Sequence, residues 1–395
     1  MSPAAWRLTL AAALLMALVS GSRAAFGLFV SPLNTASGIG LASLSFALAL
    51  GQLAIGFTQP VVGALSDRFG AARVIVIGAT LLAITTVLPA AWPLSAVALP
   101  ALVASAVAGS AVASNGLLLG EVNRGVPAAR TGMAVALVGA GASVGQLLLG
   151  PATQWAIAHQ GWIRALAATA LLSLLALPLA LPFRRASHSA PTRPAQPVAD
   201  VLRDARFWRV ALSFGVCGFH IAFLSVHMPG VIERCGLPAS LAGHWIAVAG
   251  AANIAGSLAI GVALKRHDAA RLLAGLYLVR AAGVAALLLL PPTPLVLIGF
   301  ALLMGASFMA TLPPTSQLIA RQHGVQRLGT LFGVVMLVHQ VGSFAGIWFG
   351  GWAAQATGAD HWTWGLDIVL ALGAAALVWP RAAARRGLAG PLARV

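Results

Sequence analysis

Arg23, His220, His339 and Gln340 stand inside long apolar runs and are the side chains here best suited to chemistry away from water. Charge inside a membrane is costly, so an intramembrane arginine is by default a functional candidate. Arginine keeps its proton and can grip a carboxylate with two parallel hydrogen bonds, which makes Arg23 the leading candidate anchor for an anion. Histidine as a residue type can exchange a proton near neutral pH, so His220 is a candidate for substrate contact or for carrying a proton. His339, Gln340, Asn115 and Gln146 complete the candidate substrate-binding set as neutral hydrogen-bonding groups. Each also has a plain structural reading, as a side chain bonded to a neighbouring helix or, for Arg23, snorkelling to an interface. Arg280 also falls within a span and is read as structural or gating, with substrate contact as the alternative.

The acidic residues sharpen the expectation. Asp67, Glu121, Asp200, Asp204, Glu233, Asp268, Asp360 and Asp367 all read as loop or span-end residues, leaving no carboxylate at mid-membrane. Arg23 and Arg280 then lack an evident counter-ion, which favours an anionic ligand over a metal ion or an organic cation. The two cysteines imply neither a disulfide framework nor a metal cage. With no phosphate loop and no nucleophile–base pair, the expectation is a non-enzyme with no catalytic residue, no cofactor and no bound metal.

The elements that must position these residues follow from composition. The chain has 395 residues, 59% of them hydrophobic and 8% charged, and its mean hydropathy is +0.92. A membrane span takes roughly 20 apolar residues, and twelve such windows are predicted at 8–33, 41–64, 74–92, 94–119, 131–156, 162–183, 208–229, 240–264, 271–290, 294–319, 328–353 and 363–380. Arg7 followed by Leu8–Ser20 has the outline of a secretory leader, but the apolar run continues through Phe26–Phe29, so a retained first span is expected. With both termini placed in the cytoplasm, 20 of the 24 basic residues collect in cytoplasmic loops and tails. The net charge of +16 is thus a signal of topology, with lipid headgroups and not nucleic acid as its partner. Residues 184–206, with Pro191, Pro194 and Pro197, read as a polar linker. The domains are then an N-terminal bundle at 1–183, the linker at 184–206, and a C-terminal bundle at 207–395.

A shift of about 197 residues lays the sequence over itself. Gly21-Ser22-Arg23-Ala24-Ala25-Phe26 with Pro32 meets Gly218-Phe219-His220-Ile221-Ala222-Phe223 with Pro229. Gly63 to Arg73 meets Gly261 to Arg271 on a frame of Gly, four residues, Arg, two residues, Ala-Ala-Arg. Arg130-Thr131-Gly132 meets Arg327-Leu328-Gly329, and Gly145 meets Gly342. Such parallel repeats of six spans place a substrate site between the halves near the bilayer midplane, and Arg23 and His220, at equivalent positions, are both expected to face it.

The loop Gly63-Ala64-Leu65-Ser66-Asp67-Arg68-Phe69-Gly70 with Arg73 resembles the signature loop between the second and third spans of the major facilitator superfamily. The resemblance implies an all-α membrane protein of twelve transmembrane helices in two pseudo-symmetric six-helix bundles. It also makes Gly63, Asp67, Arg68, Gly70 and Arg73 gating residues of the conformational switch, and it places Arg280 on a ninth span that is peripheral in that fold, which implies a structural or gating role. Cys217 to Phe223, Tyr277-Leu278-Val279-Arg280, Gly329 to Gly333 and His339 to Phe344 resemble the bacterial monocarboxylate-transporter-like branch, which includes oxalate/formate-type exchangers. In the animal members a first-span lysine is tied to substrate and proton, and Arg23 before Ala24–Phe29 looks like its counterpart. The branch's Asp–Arg pair on the eighth span has no match, since Ala252 and Gly256 stand there.

Residues and resemblance together predict a secondary carrier of a small organic anion in the bacterial inner membrane, working by alternating access as a monomer, with a proton as a candidate coupled ion. A drug or metabolite exporter of the same fold and a non-transporting membrane sensor are the rival readings.

Overall fold

The computed structural model describes residues 1–91, 94–185, 199–324 and 327–380. The described residues form twelve membrane-crossing helices: α1 Pro3–Ser37, α2 Leu41–Phe69, α3 Ala71–Ala90, α4 Ala98–Gly125, α5 Arg130–Gln160, α6 Trp162–Arg184, α7 Ala205–Arg234, α8 Ser240–Ala263, α9 Ala269–Leu289, α10 Pro294–His323, α11 Leu328–Thr357 and α12 His361–Val378. Helices are forced by the setting, because lipid offers no partner to a backbone N–H or C=O and a helix satisfies both internally. Several run well past their apolar windows: α1 spans 35 residues, about 50 Å at 1.5 Å per residue. The hydropathy pattern marks only the part of a helix that meets lipid, and polar turns extend it beyond.

The sequence repeat becomes helix packing through glycine. In each half the first helix lies against the fifth, α1 on α5 and α7 on α11. A Cβ built on Gly145 or Gly141 of α5 would run into the Ala17 or Ala13 carbonyl of α1. A Cβ on Gly342 or Gly346 of α11 would run into the Gly215 or Phe219 carbonyl of α7. Gly145 and Gly342 are the repeat-related pair, and in both halves the missing side chain lets two backbones touch, which is how helices associate where lipid removes the hydrophobic drive.

Two spans are broken at repeat-related points. In α4 the helix restarts after Ser114, whose Oγ accepts from Leu117 N at 3.1 Å. In α10 it passes through a 3-10 turn at Met309–Thr311 before Pro313-Pro314. A broken turn frees backbone groups that lipid cannot satisfy; Asn253 of α8 takes up one, its Oδ1 accepting from Met309 N at 2.9 Å. Gly70, between α2 and α3, holds φ 88°, ψ 138°, a conformation side chains resist.

The apolar cores show how the halves meet. Near the face that carries the termini there are two separate cores. One is built of first-half residues, including Leu8, Leu15, Ile75, Leu118 and Val138. The other is built of second-half residues, including Phe207, Phe214, Leu273, Tyr277 and Val335. In the middle and toward the opposite face the cores merge, with Ala25 and Leu28 joining Phe223, Leu224 and Trp245, and Ala49 joining Ala222 and Ile347. At the terminal ends of α2, α5, α8 and α11 a Cβ on Gly63, Gly132, Gly261 or Gly329 would touch nothing. The halves are therefore sealed at the face away from the termini and parted at the face that bears them.

Candidate functional site

The seal rests on three helix pairs. α2 meets α11, where Gln355 Oε1 accepts from Ala42 N at 2.7 Å and Gly351 leaves room for Ser45. α5 meets α8, where Asn253 Nδ2 donates to Ser143 Oγ at 3.1 Å and Gly250 lies under Gln146. α1 meets α7, where Gly27, in a 3-10 turn of α1 at Phe26–Phe29, lies on the Ser225 carbonyl. Gln146 therefore sits on the seam between halves. So does Gln340, which is buried with its side chain against Gly56 of α2. Its Oε1 accepts no hydrogen bond. The side chain of Asn115 lies outside the described residues.

Arg23 lies past the middle of α1, accessible, and among the described residues it makes no hydrogen bond and no ion pair. Arg280 is fully buried half-way along α9. Its Nε donates to Ser307 Oγ at 3.0 Å and its Nη2 to the Ser307 carbonyl at 2.6 Å, both on α10. The guanidinium lies 5.6 Å from the centre of the Tyr277 ring and 5.7 Å from that of Phe308, a cation–π clamp that holds it without a carboxylate. Its Nη1 has no partner. His339 stacks at 5.0 Å on Phe214, within the second half, with Nδ1 unsatisfied.

Two expectations are corrected. Asp367 does not sit at a span end: it is the seventh residue of α12, fully buried, and its Oδ1 lies 2.9 Å from Nε2 of His220, which is also fully buried. Hydropathy misplaced it because the apolar window of α12 begins two residues later than the helix, at 363 instead of His361. His220 consequently turns toward α12 of its own bundle, and, fully buried, it lines no open cavity in this conformation. The repeat gives Arg23 the equivalent position on α1. The predicted substrate residues are thus split: Gln146 and Gln340 on the seam, His339 inside the second half, and His220 behind it.

At the terminal ends of the first half, Arg124 Nη2 of α4 lies 3.9 Å from Asp67 Oδ1 and also pairs with Glu121. Asp67 thus links the signature loop to α4. Its partner was not visible in the sequence, because Arg124 lies on a helix that only the fold brings there. At the repeat-related loop, Asp268 instead caps α9, accepting from Ala270 N and Arg271 N at 3.1 Å.

Residues 12–347 match the family model for the Major Facilitator Superfamily. The chain belongs to this superfamily. A curated superfamily relative, the uncharacterized MFS-type transporter YcxA of Bacillus subtilis (strain 168), is 27% identical over 241 residues, covering 56% of this chain and 57% of that protein. The chain thus spans a little over half the length of that relative. Solved structures share the fold: the nucleoside transporter NupG, with TM-score 0.76, 15% identity and coverage of 96% and 100% of the two chains, and the xylose transporter XylE from E. coli in a partially occluded inward open conformation, with TM-score 0.73, 17% identity and coverage of 96% and 98%. A bacterial homolog of the human lysosomal transporter Spinster follows, with TM-score 0.72, 16% identity and coverage of 96% and 95%. The protein is a multi-pass membrane protein of the major facilitator type.

Proposed function

We propose that the chain is a secondary carrier of a small, monocarboxylate-like organic anion, with bundles at 1–183 and 207–395 rocking about the seam. The observation that carries this reading is a charge imbalance inside the membrane. Arg23 and Arg280 have no carboxylate partner among the described residues, while the buried Asp367 is engaged by His220. An unneutralised guanidinium at membrane depth is expensive, and an anionic ligand relieves that cost. Arg23, exposed on α1 and without an ion-pair partner among the described residues, is the proposed anchor for the carboxylate. Arg280, held by carbonyls and rings, is a positioning charge whose field favours an anion in the second half.

The test uses purified protein in proteoliposomes and a panel of small carboxylates, scored by uptake and by thermal shift. Arg23→Ala is expected to lower both uptake and ligand-induced stabilisation at least tenfold, the cost of one charge-assisted pair. Unchanged uptake would remove Arg23 from the site. Stabilisation by hydrophobic dyes in place of carboxylates would replace the reading with the exporter.

We also place the protein in the bacterial inner membrane, monomeric, with both termini cytoplasmic, in line with the basic-residue asymmetry. Cys235, exposed just after α7 at the sealed face, then reports orientation. An impermeant maleimide added outside cells is expected to label it, and not the buried Cys217. Partial burial raises the Cys235 thiol above its usual range. Because the thiolate is the reactive form, labelling should quicken as pH rises beyond neutrality. Labelling only after the cells are lysed would invert the topology.

A further inference from the structure

We propose that Gln355 of α11 is a state-dependent N-cap for α2, completing its first turn only while the halves are sealed at the face away from the termini, and so favouring the conformation seen. The proposal rests on superfamily membership and does not depend on the anion. The first N–H groups of a helix have no partner within it, and a side-chain oxygen in front of the helix usually accepts from the second or third. α2 begins at Leu41, and Gly40 before it supplies no side-chain cap. Gly40 holds φ 94°, ψ 141°, a backbone open to glycine and resisted by the Ser, Thr, Asp or Asn that would bring an oxygen. The position that should carry the cap is thus closed to capping residues.

The missing oxygen comes from the other half. Gln355 Oε1 accepts from Ala42 N, the second N–H of α2, at 2.7 Å, and a Cβ on Gly40 would lie 3.0 Å from the same oxygen. Donor and acceptor are 313 residues apart in the chain. Nearby hydroxyls are directed elsewhere. Ser37 Oγ donates to the Leu33 carbonyl and accepts from Ile39 N, and Ser45 Oγ, beneath Gly351, bonds no N–H. Gly351 stands about one turn before Gln355 on α11. Its missing side chain lets α11 come up against Ser45 and the Leu41 carbonyl, which brings the glutamine to the start of α2.

The consequence follows from the bundle on which each partner rides. α2 belongs to the first half and α11 to the second, so an opening of this face carries Gln355 away from Ala42. Gln355 is exposed, so water replaces it when the helices part and no buried N–H is orphaned. The contact is therefore worth about what a side-chain cap is worth, and not what a buried bond is worth. Because it exists in one state only, its whole worth enters the balance between the states.

The experiment measures that balance without any substrate. Ala49 is buried at the seam with Ala222 and Ile347, so the maleimide labelling rate of Ala49→Cys, in a chain carrying Cys235→Ser and held in lipid nanodiscs, follows the population in which the seam is open. Gln355→Ala is expected to speed labelling about fivefold, the worth of one side-chain cap. Gln355→Met, which keeps the length and loses the acceptor, is expected to match it. Gln355→Glu, ionised at neutral pH, keeps the acceptor and sets a negative charge at the N-terminus of α2, so it should slow labelling about two- to fivefold. Amide exchange over residues 41–45 should quicken in the first two variants and slow in the third. The side chain is exposed, so all of these variants are expected to fold as the parent does. A labelling rate that does not respond to Gln355→Ala, parent behaviour in Gln355→Met, or shifts of the same sign from Gln355→Ala and Gln355→Glu would overturn the proposal.

Discussion

Gly145→Leu is expected to yield protein that is poorly inserted and unstable in detergent, and Gly342→Leu in the repeat-related position is expected to do the same. At both sites the obstacle to a side chain is a backbone carbonyl, of Ala17 and Gly215 respectively, which cannot rotate aside as a flexible side chain would. Overpacking that core side chains can absorb costs about 1–3 kcal/mol, and here two helices must part along their length, so the loss should reach about 3 kcal/mol or more. The control is built into the same helix. A Cβ on Gly139 of α5 meets nothing within 4 Å, so Gly139→Ala should leave thermal unfolding unchanged. Equal losses at Gly139 and Gly145 would mean that helix flexibility, and not close approach, explains these glycines.

Asn253→Leu is expected to loosen the seal. Asn253 is buried and does two jobs: its Nδ2 bonds Ser143 across the seam, and its Oδ1 satisfies Met309 N at the break in α10. Leucine keeps the bulk and removes both bonds. Hydrogen bonds between membrane helices are worth about 0.6–1.7 kcal/mol, and the freed N–H at the kink adds to the loss. A shift of roughly 1.4 kcal/mol is tenfold in population, away from the conformation parted at the terminal face. The readout is faster maleimide labelling of a cysteine placed at the sealed end, for example at Ser45, which lies beneath Gly351. Ser143→Ala, which removes only the cross-seam bond, should give a smaller shift. No change in labelling with Asn253→Leu would mean that the α5–α8 seam does not set the balance between states.

Twelve helices and their pairing into halves were legible in the sequence because lipid imposes a simple rule on length and polarity, and because the repeat preserved Gly145 with Gly342 and Arg130 with Arg327. Helix ends were less legible. Polar turns prolong α1 and α11 beyond their apolar windows, and α12 begins two residues before its own. That small error hid the buried carboxylate of Asp367. The candidate site was legible as a set of residue types and not as an arrangement. Gln146 and Gln340 come to the seam, whereas His220 turns to α12, because rotation of a helix about its axis leaves hydropathy unchanged in a chain so uniformly apolar. Asn253 escaped notice for the same reason: nothing nearby in sequence suggests the α10 break that it satisfies.

The sequence by itself determined the class of molecule, the number of crossings, the two-fold repeat and the presence of arginines where charge is costly, since each follows from local composition and spacing. Tertiary structure decided which polar groups meet. It paired His220 with Asp367 across a separation of 147 residues, clamped Arg280 between Tyr277 and Phe308, and sealed one face while parting the other. Those outcomes depend on the azimuth and depth of each helix, fixed by glycine-mediated backbone contacts between helices distant in the chain.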